Sequence, residues 1–362
     1  MTRILVINPG STSTKIAVYE DGRQVWAAVS TLKPDEAAAF THVNEQYATR
    51  KRHILNALRA AGISMRFDAV IARGGLLKPT RGGVYEVNAE MKADLWHAEM
   101  EHACNLGGIL ADDIARLCGS RALIADPEVV DELMPEARLT GIAGMERISI
   151  FHALNSKAVC RKYAGQVGKR YEDMDIIVAH LGGGISVGAH RRGRVVDVNN
   201  ALNGDGPFAP ERAGTLPALQ LARMCFSGKY TFNEIKKLIC GRGGLVSLLG
   251  DSDVKEAARR AERGEEPHRS VLRAMIYNVS KSVGAMSVTL RGHVDAIILT
   301  GGIAFSKYCT DMLAERVGYL APLVLMPGED ETGSLAANAF RALKGEAEIL
   351  TYPAPLGDAA VK

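Results

Sequence analysis

Ile4-Leu5-Val6-Ile7-Asn8-Pro9-Gly10-Ser11-Thr12-Ser13-Thr14-Lys15-Ile16-Ala17-Val18-Tyr19 opens the chain, and Ile176-Ile177-Val178-Ala179-His180-Leu181-Gly182-Gly183-Gly184-Ile185-Ser186-Val187-Gly188-Ala189 restates its plan in the second half. Each is an apolar strand, a Gly/Ser-rich turn and a second, alternating strand. Each runs on to a hairpin, at Asp21-Gly22-Arg23 and at Arg192-Gly193-Arg194. Glycine lets backbone approach a ligand closely, and successive amides in such a turn form a nest for anions. Ser11, Thr12, Ser13 and Thr14 add hydroxyl donors, and Lys15 adds a cation. The alternation after each turn reads as strand. Neither stretch is therefore a P-loop or a dinucleotide fingerprint, both of which open a helix. One copy alone would pass for an ordinary hairpin; two copies in step predict a pair of phosphate-binding jaws.

Working outward, strands are expected at 3–8, 14–20, 24–31, 68–72, 84–87 and 122–125. Helices are expected within 43–61 and across 90–118, the latter broken near 105–108. The pattern restarts with a helix at 153–164 and a strand at 175–179. Helices follow at 215–227, 231–239 and 268–290, then a strand at 294–299, a helix to Val317, a strand at 323–326 and a helix at 333–343. This is an α/β chain with mixed sheets flanked by helices, duplicated once. Domains are expected at 1–148 with about 333–362, and at 149–332. Ligands gather beyond the carboxyl ends of strands in such sheets, the address shared by Asn8, Arg73, Asp126, His180 and Gly301.

A length of 362 residues suits about two domains. With 47% apolar residues and a net charge of +3, a globular protein without a nucleic-acid-binding tract is expected. No apolar run approaches the roughly 18 residues of a membrane span, and the first residues lack a signal-peptide pattern. Cys104, Cys118, Cys160, Cys225, Cys240 and Cys309 are scattered without a C-x-x-C pair. That argues against a disulfide scaffold or a zinc site and for a reducing cytoplasm.

Phosphoryl transfer depends on positioning and charge neutralisation. Arg73, before a Gly-Gly turn, and Arg212, in Pro210-Glu211-Arg212-Ala213-Gly214, are candidates to clamp the transferring group through a planar guanidinium. A surface ion pair is the plain alternative for each. Asp126 ends a strand before a proline and can hold Mg²⁺ or orient an acceptor oxygen. Glu331, in Glu329-Asp330-Glu331, can supply a second carboxylate. An acidic helix N-terminus explains that run equally well. His102, His152 and His180 stand at element ends, where imidazole can hydrogen-bond a phosphoryl oxygen. Thr300-Gly301-Gly302-Ile303 joins a strand to a helix in a turn that admits an adenosine or a phosphate.

These segments, in this order, resemble the acetokinase family of carboxylate kinases, in the superfamily of sugar kinases, actin and the heat-shock ATPases. Asn8, Gly10, Ser11, Thr12, Ser13 and Lys15 look like its first phosphate motif, and Gly182, Gly183 and Gly184 like its second. Gly301, Gly302 and Ile303 resemble its adenosine motif, and Asp253, Val254 and Lys255 its adenine-side segment. The nearer likeness is to its butyrate-kinase branch, through Ala72-Arg73-Gly74-Gly75, His102-Ala103-Cys104-Asn105, Phe151-His152 and Pro207-Phe208 followed by Arg212. Acetate kinases of the family read His-Gly-Gly where Arg73-Gly74-Gly75 stands, and Asn where Gly183 stands. The resemblance implies acyl-substrate contacts at Ala72, Arg73, His102, Asn105, Phe151, Pro207 and Phe208. It implies that Arg212 stabilises the transferring phosphoryl, that Asp126 and Glu331 serve the metal, and that His152 and His180 support the phosphates.

The same resemblance implies a duplicated actin-like (ribonuclease H-like) fold with an active cleft between its domains, ATP/ADP as co-substrate, Mg²⁺, and a homodimer or larger homo-oligomer. The reaction implied turns a short-chain carboxylate into an acyl phosphate. Butyrate stands first, with isobutyrate, isovalerate, propionate or acetate as alternatives, and a phosphate acyltransferase as metabolic neighbour. A nucleotide-switched actin-like ATPase is the rival of another class; it needs no arginine at the γ-phosphate. A carboxylate is already ionised at neutral pH, so in-line attack requires no general base. Arg73, Arg212 and Mg²⁺ would offset the repulsion between two anions.

Overall fold

The computed structural model describes residues 1–354. Twelve strands run in chain order: β1 (Arg3–Pro9), β2 (Ser13–Glu20), β3 (Arg23–Thr31), β4 (Ala69–Arg73), β5 (Val84–Glu86), β6 (Arg121–Ala125), β7 (Asp175–Leu181), β8 (Ile185–Arg191), β9 (Arg194–Val198), β10 (Ala296–Gly301), β11 (Leu323–Pro327) and β12 (Ile349–Leu350). They form a seven-stranded sheet, β12-β5-β6-β4-β1-β2-β3, and a five-stranded sheet, β11-β10-β7-β8-β9. Both share one plan. β1, β2 and β3 pair antiparallel and β1, β4 and β6 parallel; β7, β8 and β9 pair antiparallel and β7, β10 and β11 parallel.

The duplication extends to fine detail. Asp21 and Gly22 both take positive φ (44° and 86°), as do Arg192 and Gly193 (49° and 83°). That is the primed hairpin geometry that matches strand twist. Register slips between Val18 and Tyr19 in one copy and between Ala189 and His190 in the other.

Packing divides the chain into two units: Met1–Asp131 with 330–354, and Glu132–Glu329. The boundary falls ahead of the expected 148/149. Met134 donates its amide to the Val196 carbonyl (2.9 Å), and Arg147 pairs with Asp197 (2.8 Å), so 132–148 belongs with the second sheet. The helix Glu331–Leu343 packs on β1 and β4 of the first unit. The end of the expected first domain, 355–362, lies outside the described residues. Leu5, Ile7, Ile16, Leu110 and Ile114 centre one core; Ile177, Leu181, Leu272, Val279 and Leu299 centre the other.

Three expectations about elements change. The helical region at 90–118 is two helices, Ala89–Trp96 and Asn105–Cys118, and the interruption precedes Asn105. Gly107 and Gly108 do not break the second helix; they let it approach the sheet. A Cβ on Gly107 would lie 2.3 Å from the Arg73 carbonyl oxygen. The helix expected at 215–227 is shorter, Ala218–Cys225, and starts after Pro217. Helix Val254–Glu262 was not foreseen, because its buried stripe is only Ala257, Ala258 and Ala261 in a charged stretch. Among the described residues no helix is long and apolar enough to cross a membrane.

Candidate active site

In the first unit the β1–β2 turn is closed by the Gly10 amide on the Ser13 carbonyl (2.7 Å). The β1 end delivers Asn8, whose Nδ2 donates to Glu331 Oε2 (2.7 Å). Lys15 Nζ reaches the same oxygen (3.2 Å), and Arg73 Nη1 donates to Oε1 (2.5 Å). Arg73 also pairs with Glu128, an acid not singled out from the sequence although it stands two residues beyond Asp126. Burial works against the Arg73 charge, but Glu128 and Glu331 outweigh it and hold the guanidinium above its ordinary range.

The three consecutive acids therefore have three jobs. Glu329 Oε1 lies 2.8 Å from His180 Nε2 in the second unit's own packing. Asp330 caps the following helix through the Gly333 amide (2.9 Å). Glu331 joins the Asn8–Lys15–Arg73 cluster. Asp126 is buried at the end of β6 in a left-handed conformation (φ 40°), and its Oδ1 accepts the Gly83 amide (2.9 Å). Such backbone outliers cluster at functional sites. Asn8 Oδ1 is buried without a protein partner among the described residues. Mg²⁺ takes oxygen ligands, with one or two carboxylates completed by phosphates and water. Glu331 and Asn8, in contact with each other, offer oxygens of the kind it takes, and Asp126 follows Ala125, the strand partner of Arg73.

Of the expected acyl contacts in this unit, Ala72 is fully buried in β4. His102 Nδ1 accepts the Cys104 amide (3.3 Å) and lies 2.8 Å from Cys104 Sγ. Burial pushes its pKa down, so the ring is neutral with its proton on Nε2. Asn105 is committed to bracing: its Oδ1 accepts the Leu76 amide and its Nδ2 donates to the Met100 carbonyl, both at 2.9 Å.

In the second unit, His180 is wholly buried at the end of β7. Asn155 Nδ2 donates to His180 Nδ1 (2.9 Å) and to Thr300 Oγ1 (3.1 Å), and that hydroxyl donates to the Gly328 carbonyl (3.1 Å). The donor at Nδ1 places the His180 proton on Nε2, the nitrogen that faces Glu329. His152 stacks on His180, with ring centroids 3.7 Å apart and planes 7° from parallel, and its Nδ1 meets Ser186 Oγ at 3.0 Å. A Cβ on Gly184 would lie 3.7 Å from His152 Cε1 and 4.0 Å from Arg212 Cγ. The second glycine turn, both histidines and Arg212 thus form one cluster. Arg212 Nη1 bonds the Glu211 carbonyl and carboxylate (3.1 and 3.3 Å), while its buried Nε has no partner among the described residues.

Beside this cluster a cleft of about 920 Å³ is lined by Gly182, Gly183, Asp253, Val254, Lys255, Gly302 and Ile303. Its size suits a nucleotide. Glu211, Glu262 and the exposed Phe305 also line it and were missed; each neighbours a glycine-bearing segment but carries no motif of its own. Gly301 stands beneath, at φ 82°. Phe151 and Pro207 are buried and Phe208 packs on the core of this unit. The expected acyl contacts are thus divided, with Ala72, Arg73, His102 and Asn105 in the first unit and the other three in the second.

One further missed residue is Arg50, buried at 1% exposure. It sits in helix Tyr47–Ala60, and its guanidinium donates into the first glycine turn. A lone arginine in a helical pattern carries no sequence signal for such a role.

The profile of the Acetokinase family matches residues 142–320. A protein of Phocaeicola vulgatus described as a probable butyrate kinase is 65% identical over 350 residues, covering 97% of this chain and 99% of that protein. Another of the same description, from Bacteroides thetaiotaomicron, is 50% identical, covering 97% and 99%. The crystal structure of Porphyromonas gingivalis acetate kinase superposes with a TM-score of 0.79 at 18% identity, over 95% of this chain and 100% of that one, a likeness of fold. Identity of this level along nearly the whole length means that the chain belongs to the acetokinase family, and is a carboxylate kinase that uses ATP and Mg²⁺.

Proposed function

We propose that the carboxylate is butyrate, converted reversibly to butanoyl phosphate by direct in-line attack on the γ-phosphorus of ATP. The relative of 65% identity, described as a probable butyrate kinase, carries this reading. A carboxylate oxygen forms the new P–O bond while the bond from the γ-phosphorus to the bridging oxygen breaks, and ADP leaves with that oxygen's electron pair. The attacking group is already anionic, so no proton must be removed.

The second unit takes the nucleotide side. Its cleft of about 920 Å³ accepts adenosine, the 182–184 turn and Arg212 would meet phosphate oxygens, and buried His180, against Gly182 and Glu329, would support the turn. The unpartnered Arg212 Nε supports a role in stabilising charge that develops on the transferring group. The first unit takes the acyl side and contributes the 9–15 turn to phosphate. His102, neutral with its Nε2–H unclaimed by protein among the described residues, would donate to the substrate carboxylate; Arg73 would offset its charge. Asp126 and Glu331 would hold Mg²⁺, which neutralises phosphate charge when bound.

A homodimer or larger assembly belongs to this reading. Helix Ala218–Cys225 buries none of its residues, and Leu219, Phe226 and Phe232 stand exposed near it in sequence. Six unpaired cysteines suit a cytoplasmic enzyme, with a phosphate acyltransferase supplying or consuming the acyl phosphate. The test is hydroxylamine trapping of acyl phosphate from MgATP with straight and branched acids from acetate to hexanoate. Maximal kcat/KM with butyrate is expected. A maximum at acetate or at a branched acid overturns the chain-length assignment, since one methylene changes binding by only about 1–3 kcal/mol.

A further inference from the structure

Arg50 is a buried charge that the mechanism above does not use. All of its guanidinium nitrogens are engaged. Nη2 donates to the carbonyls of Gly10 (2.8 Å) and Ser11 (2.9 Å). Nη1 donates to the Ser13 carbonyl (3.0 Å) and Thr14 Oγ1 (2.9 Å). Nε and Nη2 both donate to Gln46 Oε1 (3.0 and 2.8 Å). The Leu32 amide takes the remaining carbonyl of the turn, that of Thr12 (2.8 Å). Every carbonyl from Gly10 to Ser13 is therefore occupied. The amides of Ser11 and Thr12 and the hydroxyls of Ser11, Thr12 and Ser13 have no protein partner among the described residues. The turn's unclaimed side is left with two amide donors and three hydroxyls that can donate.

The charge is equally one-sided. Every acceptor of Arg50 is neutral, and no carboxylate pairs with it among the described residues. A buried cation without a counter-charge costs stability, and here desolvation depresses the guanidinium pKa. The missing counter-charge has an obvious chemical class: a phosphate bound on the donor side of the same turn.

We propose that Arg50 is a positioning residue for the nucleotide phosphates. It gathers the turn's carbonyls behind the loop, leaves the amides and hydroxyls for phosphate oxygens, and has its charge balanced only when a phosphate is bound. The proposal rests on the assignment of the 9–15 turn to phosphate, and the experiment separates the two. Kd values for MgATP and for adenosine are measured calorimetrically for the native chain, Arg50→Met, Arg50→Lys and Lys15→Ala, with folding checked by circular dichroism.

Arg50→Met weakens MgATP at least about tenfold and leaves adenosine unchanged. Arg50→Lys, which keeps the charge and loses the fork, falls between. Lys15→Ala also weakens MgATP. If Lys15→Ala weakens MgATP while folded Arg50→Met does not, Arg50 is only structural and the proposal fails. If none of the variants alters the ratio of MgATP to adenosine affinity, the phosphate assignment itself fails. Should Arg50→Met not fold, Gln46→Leu and Thr14→Val each remove a partner of Arg50; an unchanged ratio in both overturns the proposal.

Discussion

Arg212 and Glu331 show what a single side chain's surroundings decide. Both are charged residues that a sequence presents as ordinary surface groups. Arg212 lies against the 182–184 turn with a buried, unpartnered Nε, so its truncation removes a donor fixed before the reaction. Arg212→Ala is expected to lower kcat at least about 100-fold with the fold retained; steady-state kinetics on the folded variant showing near-native turnover would rule out that role. At 329–331 the sequence offered three equivalent carboxylates. Helix Glu331–Leu343 begins there, so neighbouring side chains point in different directions, and one acid faces His180, one caps the helix and one meets Arg73. Their chemistry is the same; only their directions distinguish them.

At the scale of elements, the repeated strand–turn–strand was legible because alternation and glycine punctuation have local causes. The matching hairpin dihedrals and register slips follow from those same residues. Glycines inside helices were not legible in this way. Gly107 and Gly108 read as a break, yet Gly107 permits close packing of the helix on β4 and Gly108 on Leu95 and on Ile124 of β6. Gly301 combines both demands: its φ is 82°, and a Cβ there would lie 2.4 Å from the Leu181 carbonyl. Gly301→Ala is therefore expected to cost at least about 2 kcal/mol from strain and overpacking. Gly302→Ala, whose Cβ would meet nothing within 4 Å, should change stability by less than about 0.5 kcal/mol. Urea unfolding midpoints of the two variants check this; equal midpoints would mean that the strand end relaxes freely.

The whole molecule adds constraints that no segment carries alone. The chain returns to its first sheet through helix Glu331–Leu343, so residues more than 300 positions apart, Asn8 and Glu331, meet in one cluster. The exposed apolar side chains around Ala218–Cys225 belong to this scale as well, Phe226 being 90% exposed. Replacing Leu219 and Phe226 by serine is expected to dissociate the proposed assembly while each subunit stays folded. Sedimentation at micromolar concentration checks it, and an unchanged sedimentation coefficient would place the interface elsewhere.

Residue order alone determined the duplication, the two glycine turns and the family likeness, because periodicity, turn chemistry and motif spacing are properties of neighbours in the chain. It also supplied the list of charged candidates. Only the tertiary structure separated the roles of Glu329, Asp330 and Glu331, committed Asn105 to bracing loops, and brought Arg50 beneath the first turn. Those outcomes depend on which groups lie within about 3 Å of one another and which are withdrawn from water, and both are set by packing between segments far apart in sequence.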